Sequence, residues 1–148
     1  MKNVNIELKI INTGLVLKIR HEVLRKGKPL ESASFAGDNE PTTFHVGALA
    51  DGDVLGVATF VKSSNAHFLE QEQYQLRGMA VSETVQNQGI GNKLLGFAVE
   101  KLGEKNAELL WCNARKKAVN FYLKNGFLLI DEPFEVDKIG THYVMYRK

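Results

Sequence analysis

The reading turns on Leu76-Arg77-Gly78-Met79-Ala80-Val81-Ser82-Glu83-Thr84-Val85-Gln86-Asn87-Gln88-Gly89-Ile90-Gly91. Its first part closes a strand-like run, Tyr74 to Val81. Beyond its end, Ile90, Leu94, Ala98 and Leu102 recur on one helical face, joined by Leu95 and Val99. That spacing predicts the clearest helix in the chain, ending near Gly103 and Asn106. A turn with two glycines therefore connects a strand to a helix N-terminus. The first N–H groups of a helix have no intrahelical acceptor, and the helix dipole adds partial positive charge there. Together they form a site for a phosphate or pyrophosphate. Gly89 and Gly91 lack Cβ atoms, so an anion can approach the main chain closely. A glycine pair also serves a plain tight turn, and that reading stays open. Two common phosphate loops are excluded by spacing. A dinucleotide fingerprint needs G-x-G-x-x-G, and Gly96 comes too late. A P-loop needs Gly-Lys-Ser/Thr after the turn, which is absent.

Toward the N-terminus, Val4, Ile6, Leu8 and Ile10 alternate with polar residues and predict a strand with one buried face. Asn12-Thr13-Gly14 breaks it. Leu15, Ile19 and Val23 then predict a helix to Leu24, with Thr13 as its N-cap. Arg25 to Thr43 shows little periodicity and reads as a long loop with room for a short helix; such loops often serve function. Phe44–Leu49 and Val54–Val61 are apolar runs around Asp51-Gly52, a hairpin signal. Ser63 to Glu72 reads as a second connection.

Toward the C-terminus, Leu109-Leu110-Trp111-Cys112 predicts a short buried strand and Ala114–Asn125 a helix. Gly126 stands where a left-handed cap belongs. Phe127–Ile130 and His142–Tyr146 predict strands, the last an antiparallel partner. The order β, α, loop, β, β, β, α, β, α, β, β implies a mixed sheet with helices packed on it.

Length and composition agree with one globular domain spanning residues 1–148. The chain has 148 residues, 44% hydrophobic and 24% charged. Its 19 basic and 17 acidic residues leave a net charge of +2, without the basic excess that nucleic-acid or membrane-surface binding requires. One cysteine, Cys112, forms neither an intramolecular disulfide nor a metal cluster, which fits a reducing cytoplasm. No signal peptide is expected at the N-terminus, and no apolar run approaches the roughly 20 residues of a membrane span.

The Gln86–Gly91 segment matches Q/R-x-x-G-x-G/A after an apolar strand. This resembles the acetyl-coenzyme A pyrophosphate motif of the GCN5-related N-acetyltransferase (GNAT) family. Leu76–Val81 resembles that family's preceding strand. Ala114 to Phe127 resembles its A-x-x-F-Y-x-x-x-G-F block, in the family's order and separation. The resemblance covers about Leu76 to Phe127; the N-terminal half fits only in element order.

The resemblance implies a single α/β domain with a mixed, mostly antiparallel sheet of six or seven strands flanked by helices. It implies transfer of an acetyl group from acetyl-CoA to a primary amine of a small molecule or protein, by direct attack in a ternary complex without a metal. In the family the sheet splays between the strands corresponding to Leu76–Val81 and Leu109–Asn113, and acetyl-CoA lies in that gap. The main chain of Met79, Ala80 and Val81 is then expected to meet the acetyl carbonyl and pantetheine. The main chain of Gln86, Asn87, Gln88, Gly89, Ile90 and Gly91 is expected to hold the pyrophosphate. Asn120 and Asn113 are expected along pantetheine or the rest of CoA, and Tyr122 near the sulfur as general acid. By periodicity alone Tyr122 is a core aromatic between Phe121 and Phe127. A non-catalytic CoA-binding module is the alternative function, and a homodimer through sheet edges or C-terminal strands is left open.

The base that accepts the amine proton is less legible. Arg77, the only charged residue of Tyr74–Val81, cannot serve. Glu72, His45, His142 and Tyr143 are candidates, with His45 first because it follows the long loop and histidine titrates in the right range. Arg20 and His21 are expected on the acceptor side or on a plain basic helix face. Asp38, Asn39 and Glu40 are expected as loop charges, solvated or facing a cationic amine. Cys112 is expected as a small packing residue.

Overall fold

The computed structural model describes residues 5–137 and 139–148. Val4, expected in the first strand, lies outside them. Two compact units are present. The first covers the described residues up to Val61 together with Leu76–Lys105, and the second covers Lys62–Gln75 and Asn106–Lys148.

In the first unit, β1 (Glu7–Ile11) lies antiparallel to β2 (Phe44–Ala50), with Ile11 opposite His45. Strand β2 lies antiparallel to β3 (Asp53–Lys62), with Phe44 opposite Phe60. The link between β2 and β3 has Asp51 at φ 50° and Gly52 at φ 83°. Two successive positive φ values suit a type I′ hairpin, whose twist matches that of the strands. The later part of β4 (Gln73–Val81) follows β3. Helix α1 (Thr13–Leu24) buries Val16, Ile19 and Arg20, and α2 (Ile90–Glu104) buries Ile90, Leu94, Leu95, Ala98 and Leu102. All seven residues of β2 are buried. Helix α2 packs tightly over β3: a Cβ on Gly56 would meet Ile90 Cγ2 at 2.9 Å and Leu94 Cδ1 at 3.3 Å, so only glycine fits. Each fully buried leucine of α2 contributes roughly 1.5–3 kcal/mol.

In the second unit, Gln73–Gln75 of β4 pairs parallel with Leu109–Trp111 of β5 (Leu109–Arg115). Strand β5 lies antiparallel to β8 (Gly140–Arg147). The short strands β6 (Leu128–Leu129) and β7 (Phe134–Val136) both pair with β8. Helix α3 (Val119–Lys124) precedes β6. Trp111 Nε1 donates to Ser63 O at 2.8 Å and ties β5 to the 63–72 connection.

The class is the one expected, mixed, mostly antiparallel and flanked by helices; the strands total eight among the described residues. Several boundaries differ. The N-cap of α1 is Asn12, not Thr13: its extended backbone (φ −87°, ψ 166°) lets Oδ1 accept from Leu15 N at 3.1 Å. The buried stripe of α1 runs through Val16 rather than Leu15, which is exposed, because Arg20 occupies the inward position one turn on. Strand β5 continues past Cys112 to Arg115, where pairing with β8 outweighs the helical spacing from Ala114. A 3-10 turn at Lys116–Ala118 therefore precedes the shortened α3. Strand β7, three half-exposed or exposed residues, has too short a pattern to read from sequence.

Candidate active site

In the first unit, the segment after β4 forms a 3-10 turn, Glu83–Val85, and then a loop with Asn87 at φ 66° and Gly89 at φ 79°. Gln86 folds back: its Nε2 donates to Val81 O at 3.0 Å, fastening the loop to the strand end. Gly89 is the N-cap of α2, and no side chain caps the helix there. Lys93 N donates to Gly89 O at 3.1 Å, where the main-chain ladder of α2 takes over from the loop. Gln86, Asn87 and Gln88 are exposed or half-buried, and a Cβ on Gly89 would meet nothing within 4 Å. Left-handed residues ahead of a helix N-terminus that no side chain caps are the backbone pattern from which anion-binding concavities are built. Met79 and Val81 are half-buried and Ala80 is buried, just after Gly78, whose φ is +60°.

In the second unit, Tyr122 is buried on α3, edge-on to Phe121 (5.2 Å between centroids) and to Phe127 (5.1 Å). Its phenol hydrogen-bonds the Cys112 thiol. Burial, with the thiol beside it, pushes the Tyr122 pKa well above its ordinary value, so the phenol stays protonated through the neutral range. Burial likewise pushes the Cys112 thiol up to about 12, the Tyr122 hydrogen bond opposing it, so the cysteine is no nucleophile. The Cys112–Tyr122 contact was not legible in the sequence; the facing of strand and helix creates it. Asn113 on β5 and Asn120 on α3 are both exposed.

His45 lies elsewhere in the first unit, in a buried polar network. Arg20 Nη2 donates to Thr59 Oγ1 at 2.6 Å, and Thr59 Oγ1 lies 2.7 Å from His45 Nδ1. His45 Nε2 lies 3.1 Å from Asp38 O and 3.1 Å from Thr13 Oγ1. Because Asp38 O can only accept, the proton sits on Nε2, and Nδ1 accepts from the Thr59 hydroxyl. Burial holds the His45 pKa below its ordinary value, although Asp38 pulls the other way. His45 is thus neutral and 4% exposed, with both nitrogens engaged. This leaves it no lone pair for a substrate proton.

Arg20 and Asp38 correct the expectations placed on them. Arg20 faces neither a cleft nor solvent: it is 0% exposed and forks onto Asp38 at 2.7 and 3.0 Å. Asp38 is 4% exposed, not a solvated loop charge. Burial tends to raise its pKa, but the Arg20 hydrogen bonds and the Phe35 N–H outweigh it and hold the carboxyl below its ordinary value. The signal for this pair was a charged residue on the apolar stripe of α1, one turn after Val16. Among the other base candidates, Glu72 pairs with Lys62 at 2.9 Å, and His142 is buried with Nδ1 2.9 Å from Gly140 O. His21 Nε2 lies 2.7 Å from Lys28 O. Among the described residues no cluster of three or more His, Cys, Asp or Glu is arranged for a metal, and no helix is long and apolar enough to cross a membrane.

A mixed sheet whose glycine turn feeds an uncapped helix is the architecture of acyl-CoA-dependent N-acyltransferases. Residues 17–127 match the Acetyltransferase (GNAT) family, and the chain belongs to it. A relative described as "Uncharacterized N-acetyltransferase YitI", from Bacillus subtilis (strain 168), is 35% identical over 142 residues, 96% of this chain and 95% of that one. Escherichia coli ElaA has a similar fold, with a TM-score of 0.78 and 19% identity over 97% of this chain and 100% of that chain. A GNAT family acetyltransferase from Elizabethkingia anophelis with acetyl-CoA bound has a TM-score of 0.70 and 18% identity over 97% of this chain and 98% of that chain. The chain is therefore an acetyltransferase.

Proposed function

We propose that this acetyltransferase moves the acetyl group of acetyl-CoA to a primary amine by direct attack in a ternary complex, with residues 1–148 acting as one catalytic domain. The observation that carries the proposal is the Gln86–Gly89 loop, left-handed at Asn87 and Gly89, leading into an N-terminus of α2 that no side chain caps. It falls on the residues that match the family's pyrophosphate motif. Acetyl-CoA bound in the related Elizabethkingia structure supports the same co-substrate here.

In this reading the main-chain amides from Gln86 to Gly91 hold the pyrophosphate, and the main chain of Met79–Val81 holds the acetyl end. Asn113 and Asn120 lie along pantetheine. The amine nitrogen attacks the thioester carbonyl carbon, and the carbon–sulfur bond breaks as the tetrahedral intermediate collapses. The sulfur leaves with the electron pair and receives a hydrogen bond, then a proton, from Tyr122. The raised pKa keeps this phenol protonated between turnovers, and the proton that the amine loses passes to water, from which the phenol is restored. Holding both substrates side by side supplies much of the rate gain. His45 contributes by stiffening the network behind the 25–43 loop, since its nitrogens are occupied. The acceptor is a small-molecule or protein amine, and a cytoplasmic location and a homodimer belong to the same proposal.

Calorimetry of acetyl-CoA binding tests it. The wild type is expected to bind, and the Gly89→Glu, Gly91→Glu double variant to lose binding at least about 100-fold, or roughly 2.7 kcal/mol. A wild type that ignores acetyl-CoA would sink the proposal. The occupied nitrogens of His45 favour one second reading, a CoA-binding module without turnover. Tyr122→Phe separates the two. For an enzyme, kcat falls roughly 10²- to 10⁴-fold with acetyl-CoA affinity kept; for a binding module an amine-acceptor screen yields no acetylated product with either protein.

A further inference from the structure

We infer that Arg20 is a positioning residue for the acetyl end of the donor: it holds the left-handed turn at Gly78 that sets the main chain of Met79–Val81. The inference rests on the proposed role of that main chain.

Four hydrogen bonds aim the guanidinium. Nη1 donates to Ala33 O at 2.8 Å and Asp38 Oδ2 at 2.7 Å, while Nη2 donates to Asp38 Oδ1 at 3.0 Å and Thr59 Oγ1 at 2.6 Å. The Phe35 ring lies against it, 4.1 Å from Cζ to the centroid. The remaining edge, Nε, is buried without a hydrogen-bond partner among the described residues. That edge faces Gly78. A Cβ at Gly78 would stand 2.8 Å from Arg20 Nε and 2.9 Å from Phe35 Cε2. The bare Cα of Gly78 therefore rests on the guanidinium and the ring together, and its φ of +60° is a conformation that glycine adopts freely.

The neighbouring residue is held by the same segment. Arg77 Nη1 donates to Ala36 O at 2.8 Å. Residues 33–38 are shaped by Asp38, whose Oδ2 accepts from Phe35 N at 2.8 Å. Both Arg77 and Gly78 thus bear on a cradle whose shape depends on the Arg20–Asp38 fork. A left-handed residue within a strand rotates the adjoining peptide groups out of the regular ladder and re-aims the next residues along the chain. After Gly78 the first of these is Met79.

Stability alone does not call for an arginine here. A buried ion pair is often replaceable by apolar residues of similar volume at no cost, and its clearest advantage is a fixed geometry. The Nε N–H, buried without a partner, adds a cost to holding an arginine at this position.

The test is isotope-edited infrared spectroscopy of [1-13C]acetyl-CoA bound to wild type, Arg20→Lys and the Arg20→Met, Asp38→Asn double variant, which leaves no unpaired buried charge if the lysine variant fails to fold. CoA affinity is measured alongside. The thioester carbonyl band is expected to shift to lower frequency on binding the wild type and to return most of the way to the free position in the variants, with CoA affinity kept. Gly78→Ala is expected to lose the same shift. Variants that bind acetyl-CoA with the wild-type carbonyl band would overturn the inference, as would loss of CoA and acetyl-CoA binding together in folded variants. Failure of the underlying proposal looks different, because the wild type itself would then bind no acetyl-CoA, and the inference would fall with it.

Discussion

Helices α1 and α2 start in opposite ways. At α1, Asn12 closes the N-terminus with its own side chain, and the Thr13 hydroxyl reaches Asn39 Oδ1 at 2.9 Å. Behind it, Arg20 and Asp38 pair out of contact with water. At α2, Gly89 supplies no side chain at all, and it is half-buried. Any helix begins with amides that its own i→i−4 ladder does not reach. In α1 the protein caps the helix with its own side chain and gains stability. In α2 no side chain caps the helix, and stability comes from the buried apolar face of Ile90, Leu94, Leu95, Ala98 and Leu102.

Four experiments can break or sharpen this contrast. The largest effect is expected behind α1. Asp38→Ala strands the buried Arg20 charge and should cost about 3–5 kcal/mol of unfolding free energy in a denaturant titration. A loss under about 1 kcal/mol would mean that water reaches the guanidinium. At α2, the Gly89→Glu, Gly91→Glu variant should lose acetyl-CoA yet unfold with a change of only about 1–2 kcal/mol, the cost of a non-glycine residue in the left-handed region. A collapse of the fold would show that the turn is structural first.

Acid acts on the α1 side again. His45 has a pKa held below its ordinary value by burial, so the unfolded chain takes up that proton at a higher pH than the folded chain. Its contribution is complete above about pH 6.5 and is lost as pH falls through the folded value. Asp38, whose pKa is also held down, keeps its contribution until the pH falls below the ordinary carboxylate range. The melting temperature should therefore drop between pH 7 and pH 5, and His45→Gln should flatten that drop. An unchanged slope would separate His45 from the acid response. The smallest effect belongs to Asn12→Ala, which should cost about 1 kcal/mol in stability and leave acetyl-CoA affinity alone. A matching loss of affinity would erase the distinction between the two helix starts.

The α2 side was readable because it is local. A strand, a turn with glycines at fixed offsets and a helix of sustained period lie close together along the chain, from Tyr74 to Leu102. Hydrophobic spacing and backbone freedom determine such a segment with little help from the rest of the chain. The Asp51-Gly52 hairpin was legible for the same reason. Strand β5 was read short and α3 long because Ala114 and Arg115 fit a helical pattern equally well until β8 offers a partner.

The sequence by itself determined the class of fold, the glycine turn that opens α2, and the family whose motifs it carries. Only the tertiary structure decided what the polar residues of the N-terminal half do. Arg20 meets Asp38 eighteen residues on and Thr59 thirty-nine residues on, and His45 meets Thr59 across a hairpin. Tyr122 meets Cys112 only because α3 folds back beside β5. The charge or proton state of such a group depends on burial and partners. Neither has a period along the chain, so both wait for the fold.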